Sequence, residues 1–148
     1  PYVRLQPSRN ILFILVYMKY LALILTVLVL VSCQENRLDR IEREAREYTV
    51  RNCPKPVDEI TTLDSVVFHN DGSQNYTYYY KVMLTEEQHE TFKSIIDDIR
   101  EKTERGVRNS IELKAMKEAG LNFVYVYRDA ATDKAIAKFS VMKEDYEP

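Results

Sequence analysis

Three sets of side chains in this 148-residue chain have types and spacing that could do chemistry. Asp58 and Glu59, with Asp64 close by, form a carboxylate group beside a proline-bearing loop, where acid/base pairs or calcium ligands can be held. Cys53 could act as a nucleophile if a histidine lay near enough to depress its thiol pKa. The two histidines, His69 and His89, sit beside a turn and early in a helix, and neither has a motif around it. Each feature also has a structural explanation: Asp58 would cap backbone amides after the prolines, and Cys53 would be a buried or partner-facing thiol, or would join two chains by a disulfide. Two histidines and one free cysteine without recurring spacing do not make a zinc site. No metal and no cofactor are expected.

The third set is aromatic. Tyr76, Tyr78, Tyr79 and Tyr80 crowd one stretch, and strand alternation sends Tyr78 and Tyr80 to one face and Tyr79 to the other. With Tyr125 and Tyr127 they form a candidate binding surface, because a tyrosine offers a flat apolar ring with a polar tip suited to carbohydrate or protein. The alternative is that one face of that strand packs under helices.

Cys33 is of a different kind. The chain is apolar from Ile11 to Val31 apart from Lys19 and Thr26. If synthesis starts at Met18, then Met18 and Lys19 form a short cationic region and Tyr20 to Val31 an apolar one of signal-peptide length. Residues 1–17 then read as translation upstream of the true start, and residues 18–32 as a leader. The segment ends in Leu30-Val31-Ser32-Cys33, which resembles the lipobox of bacterial lipoproteins: a branched apolar residue, a tolerant position, a small residue and a cysteine. That resemblance implies cleavage before Cys33, a thioether-linked lipid on its sulfur, and membrane attachment through acyl chains. Gln34 follows Cys33 where an aspartate would resemble an inner-membrane retention signal, so outer-membrane residence is favoured. The competing reading is an uncleaved transmembrane helix over Ile11 to Val31, with Arg4 and Arg9 on the cytoplasmic side.

Removing the leader leaves 116 residues, enough for one packed core. The net charge of -2 hides an asymmetry. Arg4, Arg9 and Lys19 precede Cys33 and every acidic residue follows it, which leaves 18 basic residues against 23 acidic ones, or -5, on the part from Cys33 onward. Nonspecific nucleic-acid binding needs a cationic surface to displace counterions and is excluded on this balance. A content of 45% hydrophobic and 30% charged residues describes a folded domain rather than a disordered one.

The elements that must position these residues follow from periodicity. Leu38, Ile41, Ala45 and Tyr48 fall at helical spacing over residues 37–48, with charges around the rest of the circumference, so 33–51 is read as a lipidated N-terminus followed by an amphipathic helix. Pro54 and Pro56 end it. Residues 61–69 and 76–84 are β-branched and aromatic and flank Asn70-Asp71-Gly72-Ser73, a hairpin turn. Thr85 with Gln88 has capping-box spacing, Phe92, Ile95, Ile96 and Ile99 make a buried stripe, and the charged run from Asp97 to Arg105 frays into Gly106. Asn109 or Ser110 caps a shorter helix with Ile111, Leu113, Met116 and Ala119, closed by Gly120. Alternation from Leu121 to Tyr127 and a second run from Lys134 to Met142 give another hairpin. The expected fold is α+β: an N-terminal helix, then ββααββ over residues 52–148, a mainly antiparallel sheet with helices packed on one face.

The stretch Asn52-Cys53-Pro54-Lys55-Pro56-Val57-Asp58-Glu59, with Ala119-Gly120-Leu121 leading into Tyr125, Tyr127, Arg128 and Asp129, resembles a group of small bacterial envelope proteins with a C-P-x-P-V-D-E core. This resemblance implies an envelope location and a shared fold, and carries no activity. Asp64-Ser65-Val66 also resembles the acceptor for periplasmic O-glycosylation, and Asn75-Tyr76-Thr77 fits the N-x-T sequon. The expectation is an envelope-anchored, non-enzymatic binding or accessory module whose partner is another envelope protein or a glycan. The alternative is a small hydrolase or thiol-dependent enzyme built on Cys53 or Asp58.

Overall fold

The computed structural model describes residues 18–20 and 36–147. The chain divides into two units, Pro1–Glu35 and Asn36–Pro148. Of the first, Met18, Lys19 and Tyr20 are described and are helical. The lipobox, Cys33 and most of the apolar run lie outside the described residues.

Helix α1 spans Arg37–Asn52. Asn36 caps it, its side-chain oxygen accepting from the Leu38 amide at 3.3 Å. Ile41 and Ala45 form its buried stripe, and ion pairs such as Arg40–Glu44 lace the exposed side. Pro54 and Pro56 stop the helix, and Lys55–Pro56 pairs briefly with the next strand as β1. Strands β2 (Thr61–Phe68) and β3 (Asn75–Val82) form the first hairpin, whose turn uses positive φ at Gly72 and Gln74. A bulge between Leu63 and Ser65 sets Asp64 aside from the ladder.

Helix α2 runs through Glu86–Asn109, with the Gln88 side chain accepting from the Thr85 amide at 2.9 Å. Its 24 residues span about 36 Å at 1.5 Å per residue. That length carries the chain back past the start of β3, so β4 (Asn122–Asp129) runs parallel to β3. Short α3 (Lys114–Glu118) ends at Gly120, whose φ of +72° suits a glycine just past a helix end. Strand β5 (Ala135–Val141) pairs antiparallel with β4, and α4 (Lys143–Tyr146) follows.

The result is α+β, with an open five-stranded sheet in the order β1-β2-β3-β4-β5 that is antiparallel except between β3 and β4. The expected ββααββ order is not matched as written: β1 precedes it and α4 follows it. Two boundaries also differ. Gly106 does not fray α2, because Val107 one residue further on is buried in the core and holds the last turn. Ile111 is not part of a buried helical stripe; it is exposed in the loop before α3.

Register explains the core. Phe68, Tyr76, Phe123 and Val141 form one row across the sheet, Val66, Tyr78, Tyr125 and Phe139 the next, and Leu63, Tyr80, Tyr127 and Ala137 a third. These positions, with Ile41 and Ala45 of α1 and Phe92 and Val107 of α2, make one apolar cluster. Alternation places Thr77, Tyr79, Val124, Val126 and Arg128 on the opposite face, where the Arg128 guanidinium lies 4.9 Å from the centre of the Tyr79 ring.

Candidate functional site

The tyrosines of the candidate binding surface lie on the face of the sheet that packs against α1 and α2, the alternative the strand pattern left open. Tyr76, Tyr125 and Tyr127 are more than nine-tenths buried, and Tyr78 and Tyr80 are partly buried. The face carrying Tyr78 and Tyr80 is the one on which α1 and α2 pack. Their rings use each other's faces. Tyr78 stacks on Tyr125 with centroids 5.1 Å apart at 10°, Tyr80 on Tyr127 at 5.1 Å and 15°, and Tyr125 on Phe139 at 5.2 Å and 18°. Such stacks contribute about 0.5–1.5 kcal/mol each beyond the area they bury.

The hydroxyl tips are a separate matter. Tyr78, Tyr80, Tyr125 and Tyr127 have no hydrogen-bond partner in the protein, and none of their oxygens is sealed from solvent. By contrast, the buried Tyr146 hydroxyl donates to the Leu121 carbonyl at 2.8 Å. The two long helices pack over opposite halves of the sheet, α1 over β2 and α2 over β5. Tyr48 projects from α1 on its inner flank, while Thr49 on the outer flank donates to the Val66 carbonyl and accepts from the Val66 amide, both at 2.8 Å. Ile95, read from the sequence as part of a buried stripe, is exposed on α2, while the Arg100 guanidinium lies over the Phe139 ring.

Burial keeps these phenols neutral. It raises Tyr127 to about 12, with the charge of Asp58 adding to the effect, and raises Tyr76 to about 12 with help from Tyr48 and Glu44. Tyr78, Tyr80 and Tyr125 are raised further, again chiefly by burial and then by their neighbouring tyrosines.

Other candidates do not assemble into a reacting centre. Burial pushes the Cys53 thiol pKa up and Asp64 pushes the same way, against Lys55, the opposite of what a thiolate nucleophile needs. The Asp58 carboxylate accepts from the amides of Ile60 at 2.9 Å and Thr61 at 2.7 Å. Burial raises its pKa, but these two bonds outweigh burial and hold it below the usual carboxylate value. Asp64 pairs with Lys81 at 3.0 Å. Glu59 lies in the exposed turn beside Asp58. His69 lines a groove of about 290 Å³ on the outer flank of α1 with Glu42, Arg46, Thr49 and Phe68, away from Cys53's charged neighbours. Among the described residues, no three His, Cys, Asp or Glu side chains gather as metal ligands. Ser65 is half-buried within β2, and Tyr76 and Thr77 are buried in β3, so neither modification motif is open.

One polar knot was missed in the sequence. Asp129, 3% exposed, accepts through Oδ1 from the Ala131 and Thr132 amides and from the Thr132 hydroxyl, while Oδ2 lies 3.2 Å from His89 Nε2. The Asp-x-x-Thr spacing at 129–132 was the available signal; His89, forty residues earlier, had none. An aspartate holding a histidine is the orienting half of a catalytic triad, but no hydroxyl or thiol is hydrogen-bonded to the other ring nitrogen. The knot closes the β4–β5 turn onto α2. The Thr132 hydroxyl and amide lower the Asp129 pKa most; burial opposes them, and His89 lowers it further. A depressed carboxylate contributes stability above its unfolded pKa of about 3.9, and that stability is lost as pH falls through the folded value. Asp129→Asn is therefore expected to lower the melting temperature at neutral pH and to flatten its acid limb. Wild-type and variant limbs of equal steepness would contradict this.

Fold and site together define an α+β domain with two helices astride a tyrosine-stacked sheet and no assembled catalytic constellation among the described residues. The chain belongs to the family described as "Domain of unknown function (DUF8479)", which matches residues 36–137. Its fold is similar to that of a crystallised protein from Pseudomonas aeruginosa described as a "putative secreted protein", with a TM-score of 0.64 at 14% identity, covering 75% of this chain and 93% of that one. No curated protein matches the sequence. Among the described residues, no helix is long and apolar enough to cross a membrane.

Proposed function

We propose that this protein is an exported lipoprotein of the bacterial envelope, attached through acyl chains on Cys33, whose domain binds a ligand without transforming it. The observation that carries the binding reading is the array of stacked tyrosines, Tyr78 on Tyr125 and Tyr80 on Tyr127, whose hydroxyls lack protein partners and are open to solvent. The raised Cys53 pKa and the amide-bound Asp58 weigh against the thiol-dependent or hydrolytic alternative.

Support for the location comes from the Leu30-Val31-Ser32-Cys33 motif, from the similarity to a protein described as secreted, and from the domain's start. Asn36 caps α1 three residues after Cys33, so trimming the leader removes nothing from the folded unit and holds the domain close to the bilayer. Intact-mass measurement of native material is expected to give a chain beginning at Cys33 with added hydrocarbon. Residues 18–32 still attached, without hydrocarbon, would overturn the location.

A further inference from the structure

We infer that the Thr49 hydroxyl guards the edge of the sheet: by holding both backbone hydrogen-bonding groups of Val66, it keeps β2 from adding a strand of a second copy of this chain. An edge strand presents unpaired amides and carbonyls that template pairing with another chain unless something occupies them. On β2 the outward groups are taken in turn. The Thr61 carbonyl accepts from the Val57 amide at 2.9 Å, and Leu63 pairs with Lys55 of β1. There β1 ends, and the bulge at Asp64 resets the alternation so that Val66 is the next residue to point outward. Among the described residues no strand pairs with Val66 on that side. The Thr49 hydroxyl stands in for one, donating to the Val66 carbonyl and accepting from the Val66 amide, both at 2.8 Å. A threonine in a helix commonly bonds the carbonyl four residues back in that helix; this one reaches a strand 17 residues on.

The guarded segment is of a kind that pairs with itself. Ser65-Val66-Val67-Phe68 is uncharged, and after Ser65 it is apolar with high β propensity. Beside it runs the groove of about 290 Å³, lined by Thr49, Val50, Val66, Val67 and Phe68 among others. Val50 is 78% exposed, so a strand laid against this edge finds apolar surface to cover. Antiparallel pairing of two β2 edges sets the segment against its own copy and gives each Val66 the amide and carbonyl of the other, which makes a second copy the partner to be excluded. The rest of the sheet's edges carry separate blocks. On β1, Lys55 faces β2, and Pro54 and Pro56 on either side of it face away with no amide hydrogen to offer. On β5, the exposed Lys138 places a charge at the middle of the strand. The guard is independent of ligand binding and of the anchor.

The test uses the full chain in excess detergent, so that chains do not share micelles, and follows wild type, Thr49→Val and Thr49→Ser by sedimentation velocity over a wide range of protein concentration. Valine keeps the shape of threonine and removes the hydroxyl; serine keeps the hydroxyl. Wild type and Thr49→Ser are expected to stay monomeric, while Thr49→Val forms a dimer whose share rises with concentration at an unchanged circular dichroism spectrum. Hydrogen exchange locates the contact: in dilute Thr49→Val the Val66 amide exchanges about three- to tenfold faster than in wild type, the loss of one hydrogen bond, and it is protected again in the dimer. Val67→Lys puts a charge on the face of β2 away from the helices, and adding it to Thr49→Val is expected to restore the monomer. A Thr49→Val chain that stays monomeric, one that associates only as its native circular dichroism is lost, a dimer that survives Val67→Lys, or a wild type that associates as the variant does would each overturn the inference.

Discussion

Cells expressing the Cys33→Ser chain and fed an alkynyl fatty acid are expected to show no label on this protein, while the wild type is strongly labelled. The loss is complete rather than graded because one sulfur carries the thioether. Each buried methylene contributes about 0.8 kcal/mol to membrane attachment, so two or three long chains hold a domain that one would hold only marginally. The competing transmembrane reading makes a different pattern: an unlabelled wild type that stays in the membrane fraction with its leader attached. Label that persists in the variant would remove Cys33 as the attachment point. Folding is not at stake in this comparison, since the domain begins at Asn36.

The second large effect is expected at the centre of the sheet. Phe123 is fully buried, packs edge-on against Tyr76 and Tyr146 at centroid distances of 6.4 and 5.8 Å, and shares its row with Phe68 and Val141. Phe123→Ala removes the ring and leaves a cavity that a β-sheet flanked by helices closes poorly. A loss of about 3–5 kcal/mol is expected, a large part of the roughly 5–15 kcal/mol that holds a domain together. Urea denaturation followed by circular dichroism measures it. A loss under about 1 kcal/mol would mean that the first row is not packed as described. Tyr125→Phe, which keeps the stacked ring and removes only a hydroxyl without a protein partner, is the control.

These two residues mark different depths of legibility. Cys33 is read from four adjacent positions, because a processing enzyme meets the chain locally. Phe123 is read from alternation as facing one side of a strand, but alternation does not say which side is covered. The same gap explains the tyrosines: alternation puts Tyr78 and Tyr80 on one face and Tyr79 on the other, but leaves open whether the first face is a binding surface or packs under helices. Gly106 shows local propensity losing to packing, since burial of Val107 stabilises the helix end more than a glycine weakens it.

The sequence by itself determined what neighbours in the chain can decide: the turn at Asp71-Gly72, the stop after α1 at Pro54, the Thr85–Gln88 cap, and the two faces of each strand. Only the tertiary structure decided that β4 lies parallel beside β3, that Tyr125 and Tyr127 stack on Tyr78 and Tyr80, and that Asp129 meets His89. The physical reason is range. Turns, caps and alternation depend on torsions and hydrogen bonds within a few residues, whereas the tyrosine stacks depend on where a 24-residue helix sets the chain down and which strand then lies beside β3.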